Sequence, residues 1–312
     1  MRDSDLELQR WNSLCESDRL SLSENLAKEL LDGFRFIEIR PYSLGNQQNS
    51  IASFEYQSSI FSLIPGAEVT LGYGGGFEPN PEQYESWLET VECELPLEDD
   101  LNEYIIGHTT ALRTCNIKPM LIEVNSHEIG LERISPDEPV IQKIISEYPE
   151  SKEVEVYKQH RVIRNSDSSI EAFRVVAKTH QQVAEEMISQ GFRLPTSDEW
   201  EYVCGTGSCT LFRWGDDCPC DCYPIDDKPD WIFHRVRNAF GLHIAENPYN
   251  LEIVAEPQIL RGGDGGSRIG GGWGYFACWL PLATTFIDKE LSAWIDDDLS
   301  GRFVRWVYPL NL

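Results

Sequence analysis

Cysteine is the residue type whose spacing in this chain first suggests chemistry. Cys204, Cys209, Cys218, Cys220 and Cys222 all fall inside CGTGSCTLFRWGDDCPCDCY. Thiolates are soft ligands, and a group like this suits zinc or Cu(I). Cys218, Cys220 and Cys222 alternate, so in an extended segment their side chains turn to one face. The spacing lacks the Cys-x-x-Cys turn that offers two sulfurs to one zinc. Unligated thiols on a loop is the simpler reading, and a soft metal on Cys218, Cys220 and Cys222 is the alternative. The histidines (His108, His127, His160, His180, His234, His243) are scattered without ligand spacing.

A second chemical feature is RGGDGGSRIGGGWG, in which eight glycines lie between positions 262 and 274. Glycine at this density lets backbone approach backbone or ligand closely and exposes amides that bind polar groups. The block is either a tight structural loop or the floor of a groove. As a floor, it would offer Asp264, Ser267 and Arg268 to a ligand, with Trp273, Trp279 and Arg302 as walls. Aromatic and arginine side chains anchor recognition surfaces, although they also fill loop-rich cores.

The elements that hold these residues are partly legible. In FRLPTSDEWEYVCGTG, Pro195 keeps Leu194 extended. Thr196 and Glu199 make a capping box, so a short helix follows with Trp200 and Val203 facing inward and Gly205 ending it. Helical spacing also marks residues 1 to 34, stopped at Asp32-Gly33, a segment near Glu82, Tyr84 and Trp87, and residues 171 to 190 through Phe173, Val176, Val183 and Met187. Alternation in IASFEYQSSIFSLIPGAEVTLGY predicts a hairpin turning at Pro65-Gly66. KPMLIEV reads as a buried strand. From 205 onward glycine, proline and aromatics dominate, which predicts short elements joined by long loops.

Bulk properties limit the partners. The chain has 312 residues, enough for a full core, and its net charge of −26 repels phosphate backbones and anionic lipids. Nucleic acid and membrane surfaces are therefore not expected partners. No apolar run approaches the ~20 residues that span a bilayer. The polar N-terminus lacks a signal-peptide core, which predicts a cytoplasmic protein whose nine cysteines are free thiols.

RLPTSDEWEY, FRWGDD, NAFGL, LRGGD and GRFVR occur in that order between residues 193 and 305. Together they resemble the formylglycine-generating enzyme, or sulfatase-modifying factor, family. FSLIPGAEVTLGY and LIEVNSHEIG resemble its N-terminal half more loosely. The resemblance implies an α+β, C-type-lectin-like fold, loop-rich with little regular secondary structure. It would cover 53–312, preceded by a helical extension over 1–52 packed on the core, with an atypical acidic segment at 131–180. In the family, two cysteines after the glycine block bind Cu(I). Here Ser267 and Gly272 fall at those places, so formylglycine generation is not expected. The family's calcium segment is replaced by HIAENPYNLEIV, where Asn247, Asn250 and Glu252 keep some oxygen ligands in a broken order, leaving calcium as a weaker expectation. The implied role is a ligand- or peptide-binding module with a peptide, protein or small-molecule partner. The alternative is an enzyme of the same fold with different, metal-dependent oxidative chemistry, using Asp264, Ser267 or the cysteine cluster.

Overall fold

The computed structural model describes residues 3–93, 100–245, 247–264, 266, 273–288 and 297–310. Its chain opens with a 3-10 turn, Asp3–Leu6, and helices α1 (Leu8–Ser13) and α2 (Glu16–Glu29). The expected helical extension over 1–52 is thus helical only to Glu29. Asp32-Gly33 breaks it, and the chain then enters a long antiparallel hairpin, β1 (Phe34–Leu44) and β2 (Gln47–Tyr56).

The hairpin expected around Pro65-Gly66 turns instead at Gln57, which takes a positive φ of 54°. Strand β3 (Ser59–Ile64) pairs back on β2, whereas β4 (Ala67–Leu71) leaves for a different sheet. Pro65 and Gly66 lie between the sheets because Gly66 is pressed on the neighbouring chain. A Cβ there would meet the Ile117 carbonyl at 2.9 Å.

Next come α3 (Pro81–Cys93), α4 (Leu101–Gly107), β5 (Arg113–Ile117), β6 (Met120–Glu123) and β7 (His127–Glu128). The buried strand read in KPMLIEV is β6. It completes a five-stranded antiparallel sheet in the order β1-β2-β3-β6-β15, where β15 is Val307–Pro309. Strands β4 and β5 form a separate ribbon.

The acidic stretch after residue 131 folds as a small unit of its own. Strands β8 (Leu131–Ile134), β9 (Glu153–Val156), β10 (His160–Arg164) and β11 (Ile170–Val175) make an antiparallel sheet in the order β8-β11-β10-β9. Helix α5 (Pro139–Glu147) covers one face, and Ile141, Ile144, Val162 and Ala172 form a core there. The helix expected over 171–190 therefore splits. Phe173 belongs to β11, where β-branched neighbours pair with β10. Helix α6 (His180–Ser189) begins only after Thr179, whose hydroxyl and the Gln182 side chain cap each other's backbone. Val183 and Met187 are its buried face.

Helix α7 (Ser197–Gly205) starts where the capping box predicts, and most of its residues are buried. It ends with Thr206 in the left-handed region (φ 53°), and Gly205 packs so closely that a Cβ would sit 2.5 Å from Thr284 Cγ2. The described residues from 206 to 251 then carry no helix or strand. Strands β12 (Glu252–Ile253), β13 (Leu260–Arg261) and β14 (Phe303–Val304) join β7 in the order β13-β12-β14-β7, with β12 and β14 parallel. Helix α8 (Tyr275–Trp279) packs on α3. The molecule is thus a mixed α+β fold with several antiparallel sheets. No helix among the described residues is long and apolar enough to cross a membrane.

Candidate functional site

A wide cavity opens between the β4–β5 ribbon and the start of α7. It encloses about 770 Å³, and Ile106, Leu112, Ile259 and Ile287 give it a largely apolar wall. Ile106 and Leu112 are 52% and 59% exposed, so together they set apolar surface at the mouth of the cavity. Tyr73, Arg113, Asp198 and Glu256 add polar groups to the lining.

The floor is built on α7. Thr196 accepts from Glu199 N, and Glu199 accepts from Thr196 N at 2.8 Å and from both Arg193 nitrogens, which fixes the first turn. With the helix so fixed, Asp198 and Glu201, three residues apart, project on one side, while Trp200 points into the core. Glu201 is buried and fully used. It accepts from Gly72 N at 2.6 Å, Thr110 Oγ1 at 2.8 Å, Arg113 at 2.9 Å and Arg261 at 3.0 Å. Gly72 is required for this approach, because its φ is +93° and a Cβ would overlap the Ala111 carbonyl at 2.1 Å. Arg261 lies beneath, donating also to Ser197 Oγ at 2.6 Å and sitting over the Trp200 ring at 5.7 Å.

Trp200 donates its indole N–H to Glu252 at 3.0 Å, and Arg305 grips the same carboxylate at 2.8 Å. A buried carboxylate with several charge-assisted donors is stable only when all are present. The floor is accordingly rigid.

Above it, Asp198 takes Arg113 at 2.6 and 2.8 Å and the Cys115 thiol at 3.1 Å. Burial opposes its charge, but hydrogen bonds from Cys115 and Arg113, with the nearby guanidinium charges, outweigh that and hold the carboxyl below its usual range. The same burial, and the Asp198 hydrogen bond, push the Cys115 thiol up. Glu256 lines the cavity, and its Oε2 accepts from Ser197 N at 2.8 Å. Arg113 spends its donors on Asp198, Glu201 and the Ala111 carbonyl. The cleft therefore offers acceptors beside an apolar wall.

The sequence-predicted residues lie elsewhere. Ser267 and Arg268 lie outside the described residues. Asp264 is buried beyond the end of β13, accepting from Gly266 N at 2.7 Å and lying beside Tyr249. Trp273 is half-buried, with its ring 6.3 Å from Tyr104. Trp279 is a core residue at 1% exposure, not part of any wall. It donates to the Cys222 carbonyl at 3.1 Å and stands edge-on to His234. Arg302 precedes β14, where its carbonyl accepts from Ile129 N at 2.8 Å. Asp264 and Arg302 flank β12 from opposite neighbouring strands, and the two tryptophans pack toward α3, α4 and the 214–234 loop. Of these four described residues, none lines the cleft beside α7.

Of the thiols, Cys218 is buried, Cys220 borders a smaller cavity and Cys222 packs against the core. Among the described residues no three His, Cys, Asp or Glu side chains converge as a metal site requires. Asn247 instead caps its own turn, with its side chain accepting from Tyr249 N, and Glu252 is taken by Trp200 and Arg305.

Sequence reasoning missed Arg113, Leu112, Ile106 and Glu256. Asp198 and Glu201 stood inside RLPTSDEWEY, and their i, i+3 spacing opposite Trp200 was the available signal. No protein-family model matches this chain and no curated protein matches it, so the reading of the cleft rests on its own geometry.

Proposed function

We propose that this chain is a peptide-binding module and that the cleft beside α7 is where the peptide lies. The observation that carries the reading is the pairing of an exposed aliphatic wall, Ile106 and Leu112, with a floor of satisfied ion pairs. A pre-formed site with few polar groups set in apolar surface is how small binding clefts gain affinity without ordering costs. The Glu256 carboxylate in the lining suits backbone amides or polar side chains of an extended segment.

The ordered motifs of residues 193–305 support placing the chain, as a divergent member, with the formylglycine-generating-enzyme-like proteins of C-type-lectin-like fold. On that reading it has kept the framework and lost the copper thiols, since Ser267 and Gly272 stand at their places. Binding then replaces formylglycine chemistry, in the cytoplasm and with a protein or peptide partner.

The test is selection of peptides from a random displayed library against the wild type. Selected sequences should bind the wild type, and Ile106→Glu with Leu112→Glu should remove that binding. The urea midpoint should stay nearly unchanged, because exposed substitutions move stability by about 0.5 kcal/mol or less. A library yielding no binder, or binders indifferent to the double substitution, overturns the proposal.

A further inference from the structure

We propose that Cys218 and Cys220 are a redox-modified pair that closes a reversible disulfide across Pro219 when the protein meets a small neutral hydroperoxide. The Cys220 thiol donates to the Cys218 carbonyl at 3.8 Å, and the two thiols lie close enough for each to shift the other's titration. The chain is therefore already bent back around Pro219. Residues two apart span at most roughly 7 Å when fully extended, and disulfides accept Cα separations of about 4.4–6.8 Å.

Access differs between the two sulfurs. Cys218 is buried in the main core, with Gln83 Nε2 at 4.0 Å from its sulfur. Cys220 borders a cavity of about 400 Å³ whose other walls include Glu82, Glu85, Glu89, Asp221 and Lys228. Reagents reach Cys220 first, and the carboxylates there outnumber the lysine, which itself pairs with Asp221. Anionic oxidants are repelled from such a mouth, whereas an uncharged peroxide enters. Cys222 is influenced instead by its neighbours Lys228 and Asp221.

The chemistry balances in two steps. The Cys220 sulfur attacks the peroxide, the O–O bond breaks, and a sulfenic acid and water (or the alcohol) result. Cys218 sulfur then attacks the sulfenic sulfur, the S–S bond forms, and hydroxide leaves with the Cys218 proton as water. The dithiol loses two electrons and the peroxide gains them. The neighbouring Cys218 thiol also holds the Cys220 thiol below its usual pKa, which favours its thiolate.

The experiment treats the full chain with hydrogen peroxide near equivalence, blocks remaining thiols with N-ethylmaleimide and maps the 214–235 tryptic peptide by tandem mass spectrometry. The expected result is a loss of two hydrogens with the link at Cys218–Cys220, reversed by dithiothreitol. It should persist in Cys222→Ser, vanish in Cys220→Ser, and form more slowly with oxidised glutathione, which is anionic. A link at Cys220–Cys222 overturns the proposal. So does alkylation of both Cys218 and Cys220 while the exposed Cys15 and Cys209 are oxidised. The wild-type map decides the matter even if a variant folds poorly.

Discussion

Two regions of this molecule are laced with arginine–carboxylate pairs, and they use them differently. Under the cleft, Arg261–Glu201 and Arg305–Glu252 have side chains 0–2% exposed. On the inserted sheet, Arg133–Glu171 and Arg174–Glu132 are largely open to water. The chemistry of the pairs is the same, and burial sets their worth. In the first region each charge is committed, because losing a partner strands another ion in low dielectric. In the second, solvent replaces whatever is lost.

The largest effect should come from Glu201→Ala. It leaves Arg261 buried without its carboxylate and frees Gly72 N, Thr110 and Arg113 together. Breaking one partner of a buried pair costs about 3–5 kcal/mol. Urea unfolding followed by tryptophan fluorescence reads the loss, and a change under about 1 kcal/mol would erase the contrast between the regions.

Acid should act on the interior next. His234 is buried edge-on to Trp279, with Nε2 on the Pro224 carbonyl at 2.9 Å. Burial pulls its pKa down to about 4; the Pro224 hydrogen bond opposes this, and the charges of Arg235 and Arg213 add to the lowering. The unfolded imidazole titrates near 6.5 and so binds a proton that the folded one refuses. Stability from this group is therefore complete above pH 6.5 and falls as pH drops toward 4, by about 3 kcal/mol in all. His234→Gln should flatten that part of the slope between pH 7 and 4.5. Equal slopes in the two proteins would show that His234 titrates as it does in the unfolded chain.

Ile141→Val tests whether the inserted unit carries its own stability. Ile141 is fully buried among Ile144, Val162 and Ala172, and losing one methyl group costs about 1 kcal/mol. Amide exchange should quicken over 131–175 and leave α7 unchanged. Faster exchange in both places would mean one cooperative core.

The sequence is legible where structure is decided locally. Thr196 and Glu199 write a helix start within four residues, and α7 forms there. Thr179 and Gln182 carried the same signal, but the apolar positions of β11 and α6 run on in phase and hid the boundary. In the inserted unit, the alternation of Glu153–Val156 was a strand signal masked by its acidity. The cleft was not legible, because its lining comes from positions 73, 106–113, 197–198, 256–259 and 287. No local pattern joins those stretches, and only the packed sheets bring them together. The glycine block drew notice by composition, yet composition does not separate close packing, as at Asp264, from a ligand floor.

The smallest effect is the sharpest check on the comparison. Glu171 meets Arg133 across the open face of the inserted sheet, where β8 and β11 pair. Arg133 also lies over the Phe173 ring at 5.8 Å, so its alkyl stem keeps a packing partner when the carboxylate is removed. Glu171→Ala then loses only a solvent-screened attraction and restores freedom to a long side chain. The expected change in unfolding free energy is about 0–1 kcal/mol, and added salt should shrink it further. A loss near that of Glu201→Ala would mean that the open sheet face is buried against something in solution, and the distinction between the two regions would fail at its weaker end.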